Sequence, residues 1–292
     1  MFLPQKLTDS LKKILSNYDL QHLRNISSHL TDAYRTGRWK LTQQEKLCYA
    51  ICRMPATYAV IQHLTSSLEF KSLLDVGAGP GTASWVVDDQ VEIVSLEHDK
   101  NFISLAQQLG SKGQWEHVDV RNWKTSQKFD LVLFSYSFGE MPDLCLQPFW
   151  QCCAQQLVII EPGTPQGWQN ILHARQQLIE LGAYIWEPCA HQKACPLQQP
   201  DWCHFGMRLE RSFWHRYLKQ GSLDFEEEKF IYLIAGKTPK TLASRILRAP
   251  QKRTGHLHLK LCTEEGLQLL TISKKDKELY QKARQASWGE TL

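Results

Sequence analysis

The segment Leu73-Leu74-Asp75-Val76-Gly77-Ala78-Gly79-Pro80-Gly81 constrains the fold more than any other part of the chain. The run from Lys71 to Val76 reads as a buried strand that passes directly into three glycines at alternate positions, and Thr82 to Val87 reads as the start of a helix. Strand, glycine turn and helix is the layout that holds a nucleotide-like ligand in a doubly wound sheet. Glycine lets backbone and ligand approach closely, and a helix N-terminus offers N–H groups with no intrahelical partner. The spacing is not the G-x-G-x-x-G of a dinucleotide site. It is Gly77-x-Gly79-x-Gly81, preceded by Asp75. Val91 to Leu96 reads as the next strand and Glu97 ends it, about 20 residues past the glycines, where a ribose-binding carboxylate belongs.

This pattern resembles the first motif of class I S-adenosylmethionine-dependent methyltransferases. The resemblance implies that Asp75, Gly77, Gly79 and Gly81 hold the methionine end of the cofactor and that Glu97 binds the ribose hydroxyls. Gln114 to Val118 reads as a third strand followed by Asp119, which is either an adenine contact, as the resemblance implies, or a loop acid capping a helix. Phe129 to Phe134 is continuously apolar, as a parallel strand buried on both faces requires. Leu157 to Ile160 is a fifth strand, ending in Glu161-Pro162-Gly163-Thr164. The segment Ser135 to Met141 lacks the Asn/Asp-Pro-Pro-aromatic motif of amino-methylating relatives, and no Pro-Cys nucleophile of base C5 methylators occurs, so no catalytic residue is assigned.

With 292 residues the chain suits one α/β domain plus an appendage. The expected division is a helical region over 1–70, a cofactor-binding sheet over 71–187 and a cysteine-rich module over 188–292 that completes the sheet. In the first region Leu7, Leu11, Ile14 and Leu15 form one apolar stripe and Leu20, Leu23, Ile26 and Leu30 a second; Asp19 and Thr42 are expected helix caps, and Pro55 a helix break. Cys48 and Cys52, one turn apart, read as packing residues, as do Cys145, Cys152 and Cys153 on an expected helix. No run of 18 apolar residues occurs and the N-terminus lacks a secretory h-region, which gives the expectation of no membrane span and a cytoplasmic location. Nine cysteines, an odd number without a signal peptide, argue against a disulfide framework and towards thiol or metal chemistry.

Three of those cysteines, Cys189, Cys195 and Cys203, lie within fifteen residues, and Cys262 follows far downstream. Four thiolates from a loop and a distant strand can close a tetrahedral site for structural zinc or hold a [4Fe–4S] cluster. His191, His204 and His215 are alternative ligands. Between Glu228 and Glu264 no acidic residue occurs, while Lys229, Lys237, Lys240, Arg245, Arg248, Lys252, Arg253 and Lys260 do. A one-sign segment is the electrostatic footprint of phosphate binding, and Arg245, Arg248, Lys252 and Arg253 are the candidate RNA contacts. His256 to Leu261 and Leu267 to Ile272 read as strands around a turn at Glu264-Glu265-Gly266, a small β appendage.

An ordered set of motifs carries a more specific resemblance. It comprises Arg53-Met54-Pro55-Ala56-Thr57-Tyr58, the glycine segment, Glu161-Pro162-Gly163-Thr164, Cys195-Pro196-Leu197, Trp202-Cys203-His204-Phe205, Glu210-Arg211-Ser212, His215-Arg216, Glu228-Lys229-Phe230-x-Tyr232, Arg248 through His256, and Leu261-Cys262-Thr263. The chain resembles the methyltransferase-like family of small-ribosomal-subunit assembly proteins, the Rsm22 family, known from mitochondria and with shorter bacterial relatives. The resemblance implies that Cys189, Cys195, Cys203 and Cys262 bind a [4Fe–4S] cluster and that the protein engages small-subunit rRNA, either methylating it or assisting assembly without turnover. In a eukaryote it implies the mitochondrial matrix.

Overall fold

A computed structural model describes residues 3–35 and 41–292; part of the expected helical region, residues 36–40, lies outside them. In chain order the elements are α1 (Gln5–Leu15), α2 (Leu20–Arg35), α3 (Gln43–Cys52), α4 (Met54–Thr65), β1 (Ser72–Val76), β2 (Glu92–Glu97), α5 (Lys100–Leu109) and β3 (Gln114–His117). There follow β4 (Phe129–Ser135), α6 (Gln147–Cys152), β5 (Cys153–Pro162), α7 (Pro165–Glu180), β6 (Tyr184–Glu187), β7 (Phe205–Glu210), α8 (Phe213–Lys219) and β8 (Phe225–Gly236). Last come β9 (Arg245–Ile246), β10 (Gln251–Arg253), β11 (His256–Thr263), β12 (Gly266–Ser273) and α9 (Lys277–Gln285). The backbone divides into two compact units, Met1–Lys124 with Met207–Glu228, and Thr125–Gly206 with Lys229–Leu292. Among the described residues no helix is long and apolar enough to cross a membrane.

In the first unit β1, β2 and β3 pair in parallel, β2 central. The leucine stripes of α1 and α2 meet α3, α5 and α8 in one core with Leu7, Leu11, Leu23, Leu47, Leu109 and Leu218. The caps are where the sequence puts them. Asp19 Oδ1 accepts from the Gln21 amide, and Thr42 and Glu45 exchange the two bonds of a capping box. Pro55 sits in the first turn of α4, where a missing N–H costs nothing, so α3 ends just before it. Cys48 and Cys52 are buried packing residues; the Cys48 thiol donates to the Leu23 carbonyl, and burial pushes its pKa up to about 12.

Two groups of motif residues turn out to be ion-pair nodes of this unit. Arg53 forks onto Glu228 with donor distances of 3.0 and 2.9 Å, a bidentate geometry that fixes both side chains. Glu226 takes Arg211 at 3.0 Å, Lys219 at 2.9 Å and the fully buried His215 at 3.3 Å. Against the desolvation that would raise it, the contacts with His215 and Lys219 hold the Glu226 carboxyl well below the usual range. Ser212 caps α8 through the His215 amide. His215 faces Glu226 within this unit.

The expected helix over Thr82–Val87 is corrected to a single 3-10 turn, Thr82–Trp85. The chain enters it from Gly81 in the left-handed region, and the β-branched pair Val86-Val87 followed by Asp88-Asp89 gives it nothing with which to propagate.

In the second unit β4 runs parallel to β5, while β8 is antiparallel to β5 and to β6. β5 starts earlier than expected, at Cys153, directly after Cys152 ends α6; Cys145 lies outside both and is exposed. Trp168, Ile171, Ala174, Arg175 and Leu178 line the buried face of α7. The tail folds as expected into a separate sheet in which β11 pairs with β9, β10 and β12, all antiparallel. Ile246, Leu257, Leu259, Leu261 and Ile272 form its core with Ala283 of α9.

Candidate functional site

At the end of β1 all three glycines adopt positive φ: 72° at Gly77, 54° at Gly79 and 74° at Gly81. Side chains are strained there, which is why glycine fills the positions. The loop folds onto the end of β2. Gly77 and Ala78 donate to the Leu96 carbonyl at 2.9 and 3.0 Å, and Gly81 donates to the Ala78 carbonyl. Gly79 donates to Glu97 Oε2 at 2.9 Å, while Glu97 Oε1 accepts from the Asp99 amide at 2.8 Å. A Cβ on Gly81 would lie 2.5 Å from Ser111 Oγ, but one on Gly79 would meet nothing within 4 Å. The open side of the loop is therefore at Gly79, beside a buried carboxylate.

Asp75 is 2% exposed. Burial, with the charge of Glu97 added, pushes its pKa up to about 7. Such a carboxyl is poised to become fully charged when a cation approaches. Asp119 takes the cap geometry: its Oδ1 accepts from the Arg121 amide and its Oδ2 pairs with the Arg121 guanidinium at 3.2 Å.

The structure brings Cys189, Cys195, Cys203 and Cys262 to the wall of a single cavity, shared with Trp168, Arg175 and His191. The loop bearing the first three cysteines is held by Arg175, which is 4% exposed and donates to the carbonyls of His191 (2.9 Å) and Lys193 (2.7 Å). The sequence signal for this residue was a lone charge at core spacing on α7. Burial, then the charges of Cys189, Cys195 and Cys262, push the Cys203 thiol far up. Burial likewise raises Cys195 and Cys262. The buried Trp168 indole N–H finds no oxygen acceptor; it is among the groups that favour a Cys195 thiolate. His191 Nε2 lies 3.7 Å from Cys262 Sγ, and burial lowers its pKa, keeping the ring neutral. His204 instead stacks on Trp202. Among the described residues no three His, Cys, Asp or Glu side chains come together at the spacing of one bound ion.

Of the four expected RNA contacts, two are committed inside the protein. Arg245 is 9% exposed and donates to the Pro188 and Gly289 carbonyls and to Glu187. Arg248 pairs with Asp201 and donates to the Leu247 and Trp202 carbonyls, bracing the cysteine loop. Lys252 and Arg253, on β10, are exposed. Sequence reasoning also missed a cluster after β4. Tyr136 has φ 58°, and the buried Glu161 accepts from the Gly139 amide at 2.9 Å and from Asn170 at 2.8 Å.

Parallel strands, a left-handed glycine loop at the end of β1 and a carboxylate at the end of β2 tied to its middle glycine define an α/β protein with a Rossmann-like sheet. The family model described as mitochondrial small ribosomal subunit Rsm22 matches residues 43–292, and the chain belongs to this family. It is 24% identical to the human ribosome assembly protein METTL17, mitochondrial, over 96% of this chain and 71% of that protein. It is 22% identical to the Rsm22-cox11 tandem protein 2, mitochondrial, of Schizosaccharomyces pombe, over 86% of this chain and 43% of that protein. Similar solved structures include a putative RNA methyltransferase from Pyrococcus horikoshii (17% identity, 62% of this chain and 81% of that one, TM-score 0.39). Another is magnesium protoporphyrin IX methyltransferase from Synechocystis with bound S-adenosylmethionine (12% identity, 76% and 98%, TM-score 0.40).

Proposed function

We propose that this chain is an S-adenosylmethionine-binding, iron–sulfur-containing methyltransferase-like protein that acts on small-subunit rRNA during ribosome assembly. The observation that carries the reading is the convergence of Cys189, Cys195, Cys203 and Cys262 on one cavity in a chain of the Rsm22 family. The names of its relatives support ribosome assembly and a mitochondrial setting. The donor set fits a [4Fe–4S] cluster: all four ligands are thiols, three are pushed up by burial without a cation, and a bound cluster reverses that by stabilising the thiolates. Arg175 and the Trp168 N–H would temper the added negative charge. The cluster would tie the 189–203 loop to β11, a structural service.

The open side of the glycine loop at Gly79 would admit the cofactor, and Asp75 would hold its ammonium end and Glu97 its ribose, as the resemblance implies. When bound, the cofactor supplies an electrophilic methyl group. Asp119, as a cap paired to Arg121, would meet adenine through its exposed edge. A second reading, an assembly factor that binds cofactor and rRNA without turnover, is favoured by the absence of a base or nucleophile motif in Ser135–Met141.

Two experiments test these readings. Anaerobically purified protein should be brown with about four irons per chain; stoichiometric zinc without iron overturns the cluster. Tritiated-methyl transfer should label small subunits isolated from cells lacking the protein, and Gly79→Arg should abolish labelling. No labelling of any assembly intermediate assigns the non-catalytic role.

A further inference from the structure

Strand β11 alternates strictly: His256, Leu257, His258, Leu259, Lys260, Leu261, Cys262. The three leucines are 1–3% exposed and pack towards α9. The other four residues share the opposite face, because successive side chains in a strand point to opposite sides. Register extends that face to both neighbours. Arg253 is opposite His256 and Gln251 opposite His258 on β10; Thr271 is opposite His258 and Leu269 opposite Lys260 on β12.

One end of this face is closed. Cys262 is buried in the cysteine cavity, and Lys260 is paired with Asp201 of the cysteine loop. The other end is open. The rings of His256 and His258 lie there partly exposed, edge to face with centroids 4.9 Å apart, His258 oriented by Thr271 Oγ1 at 2.9 Å, and Leu269, 84% exposed and opposite Lys260, borders this end. Exposed cations flank the open end. Lys252 and Arg253 are on β10, and Lys274 and Lys275 follow β12, the Lys274 amide bonded to the Gly255 carbonyl of the β10–β11 turn. Of the nearby acidic residues, Glu264 and Glu265 sit at the opposite hairpin, while Asp276, next to Lys275, caps α9, with Glu278 in its first turn.

We propose that the open end of this face, built from His256, His258, Leu269 and Arg253, is a platform for a single strand of RNA, the two imidazoles and the leucine taking unstacked bases and the flanking cations taking the phosphates. The proposal rests on the rRNA reading and names where the RNA sits. Flat rings beside an apolar side chain and a row of cations is the surface that single strands use, whereas a duplex hides its base faces. Charge complementarity favours RNA over a protein occupant, since four exposed cations edge the histidine end of the face while its two exposed leucines, Leu267 and Leu269, lie opposite Cys262 and Lys260. The same strand carries Cys262, so the platform is held in place by the cysteine site.

The test uses the full chain, purified anaerobically, and a fluorescein-labelled mixed-sequence RNA of about 12 nucleotides, single-stranded or annealed, read by anisotropy. Single-stranded RNA should bind at least tenfold tighter than the duplex. The His256→Ala/His258→Ala pair should lose at least tenfold in affinity with unchanged thermal unfolding, and His258→Tyr, which keeps a flat ring, should retain binding. Unchanged affinity in the histidine pair, while Lys252→Ala/Arg253→Ala weakens binding, would overturn the platform and leave the rRNA reading standing. No binding by the intact chain at low salt would overturn the rRNA reading itself. Leu269→Ser that spares RNA affinity but abolishes self-association in sedimentation would make the face a contact between two copies and end the proposal.

Discussion

Asp75 gives the sharpest stability test. It is fully enclosed at the end of β1, and burial together with the charge of Glu97 raises its pKa from 3.8 to about 7. A carboxyl whose folded pKa exceeds its unfolded one binds its proton more tightly in the native state. Its contribution to stability is therefore fully present below about pH 4 and is lost as pH rises through about 7. Three pKa units at 1.36 kcal/mol each make that loss about 4 kcal/mol. Asp75→Asn removes the titration while keeping the shape. Relative to the natural chain, the variant should be near neutral in stability at pH 4 and more stable by several kcal/mol at pH 8, measured by urea unfolding at both pH values. Taking the difference between the two proteins cancels every other titrating group. A variant equally stable or less stable than the natural chain at pH 8 would refute the reasoning, for it would mean that Asp75 is charged and satisfied in the native fold. A cationic ligand should narrow the difference at pH 8 by favouring the charged form.

Glu97→Ala removes charge-assisted bonds, each about 1.5–3 kcal/mol, and also releases Gly79; calorimetry should show S-adenosylmethionine affinity falling at least tenfold, and unchanged affinity removes Glu97 from the site. Arg175→Met leaves the buried carbonyls of His191 and Lys193 without their donor at a cost of about 1–3 kcal/mol, so hydrogen exchange across residues 189–203 should speed up; unchanged protection there contradicts the bracing role. Gly163→Ala would put a Cβ 2.7 Å from the carbonyl carbon of Lys229 and 2.8 Å from the Phe230 amide, backbone atoms held in the β5–β8 ladder, and should cost about 1–3 kcal/mol in thermal unfolding; a neutral outcome means the strands part freely. Raising salt should weaken RNA binding with a log–log slope near −0.7 to −0.9 per phosphate contact, and Lys252→Ala/Arg253→Ala should flatten it, a slope near zero in the intact chain excluding phosphate contacts.

By itself the sequence determined the features that local physics dictates. A left-handed backbone after β1 leaves glycine as the residue for three positions, so the loop was legible at Gly77, Gly79 and Gly81. The Thr42–Glu45 capping box, Pro55 and the Glu264-Glu265 turn were legible for the same reason. Direction was not. Arg245 and Arg253 look alike in a run of like charges, yet pairing with β11 sends Arg245 inward to Glu187 and leaves Arg253 in water. The helix expected after Gly81 shrank to one turn because propagation depends on packing as well as on a favourable start. The cysteines could be counted from the sequence, but only the fold brought Cys262 to a loop some sixty residues away and clamped that loop with Arg175. The alternation along β11 was written in the chain; that its leucines face α9 and its histidines face solvent beside Leu269 was decided by strand register and by the helix that covers one side, interactions between residues distant in sequence.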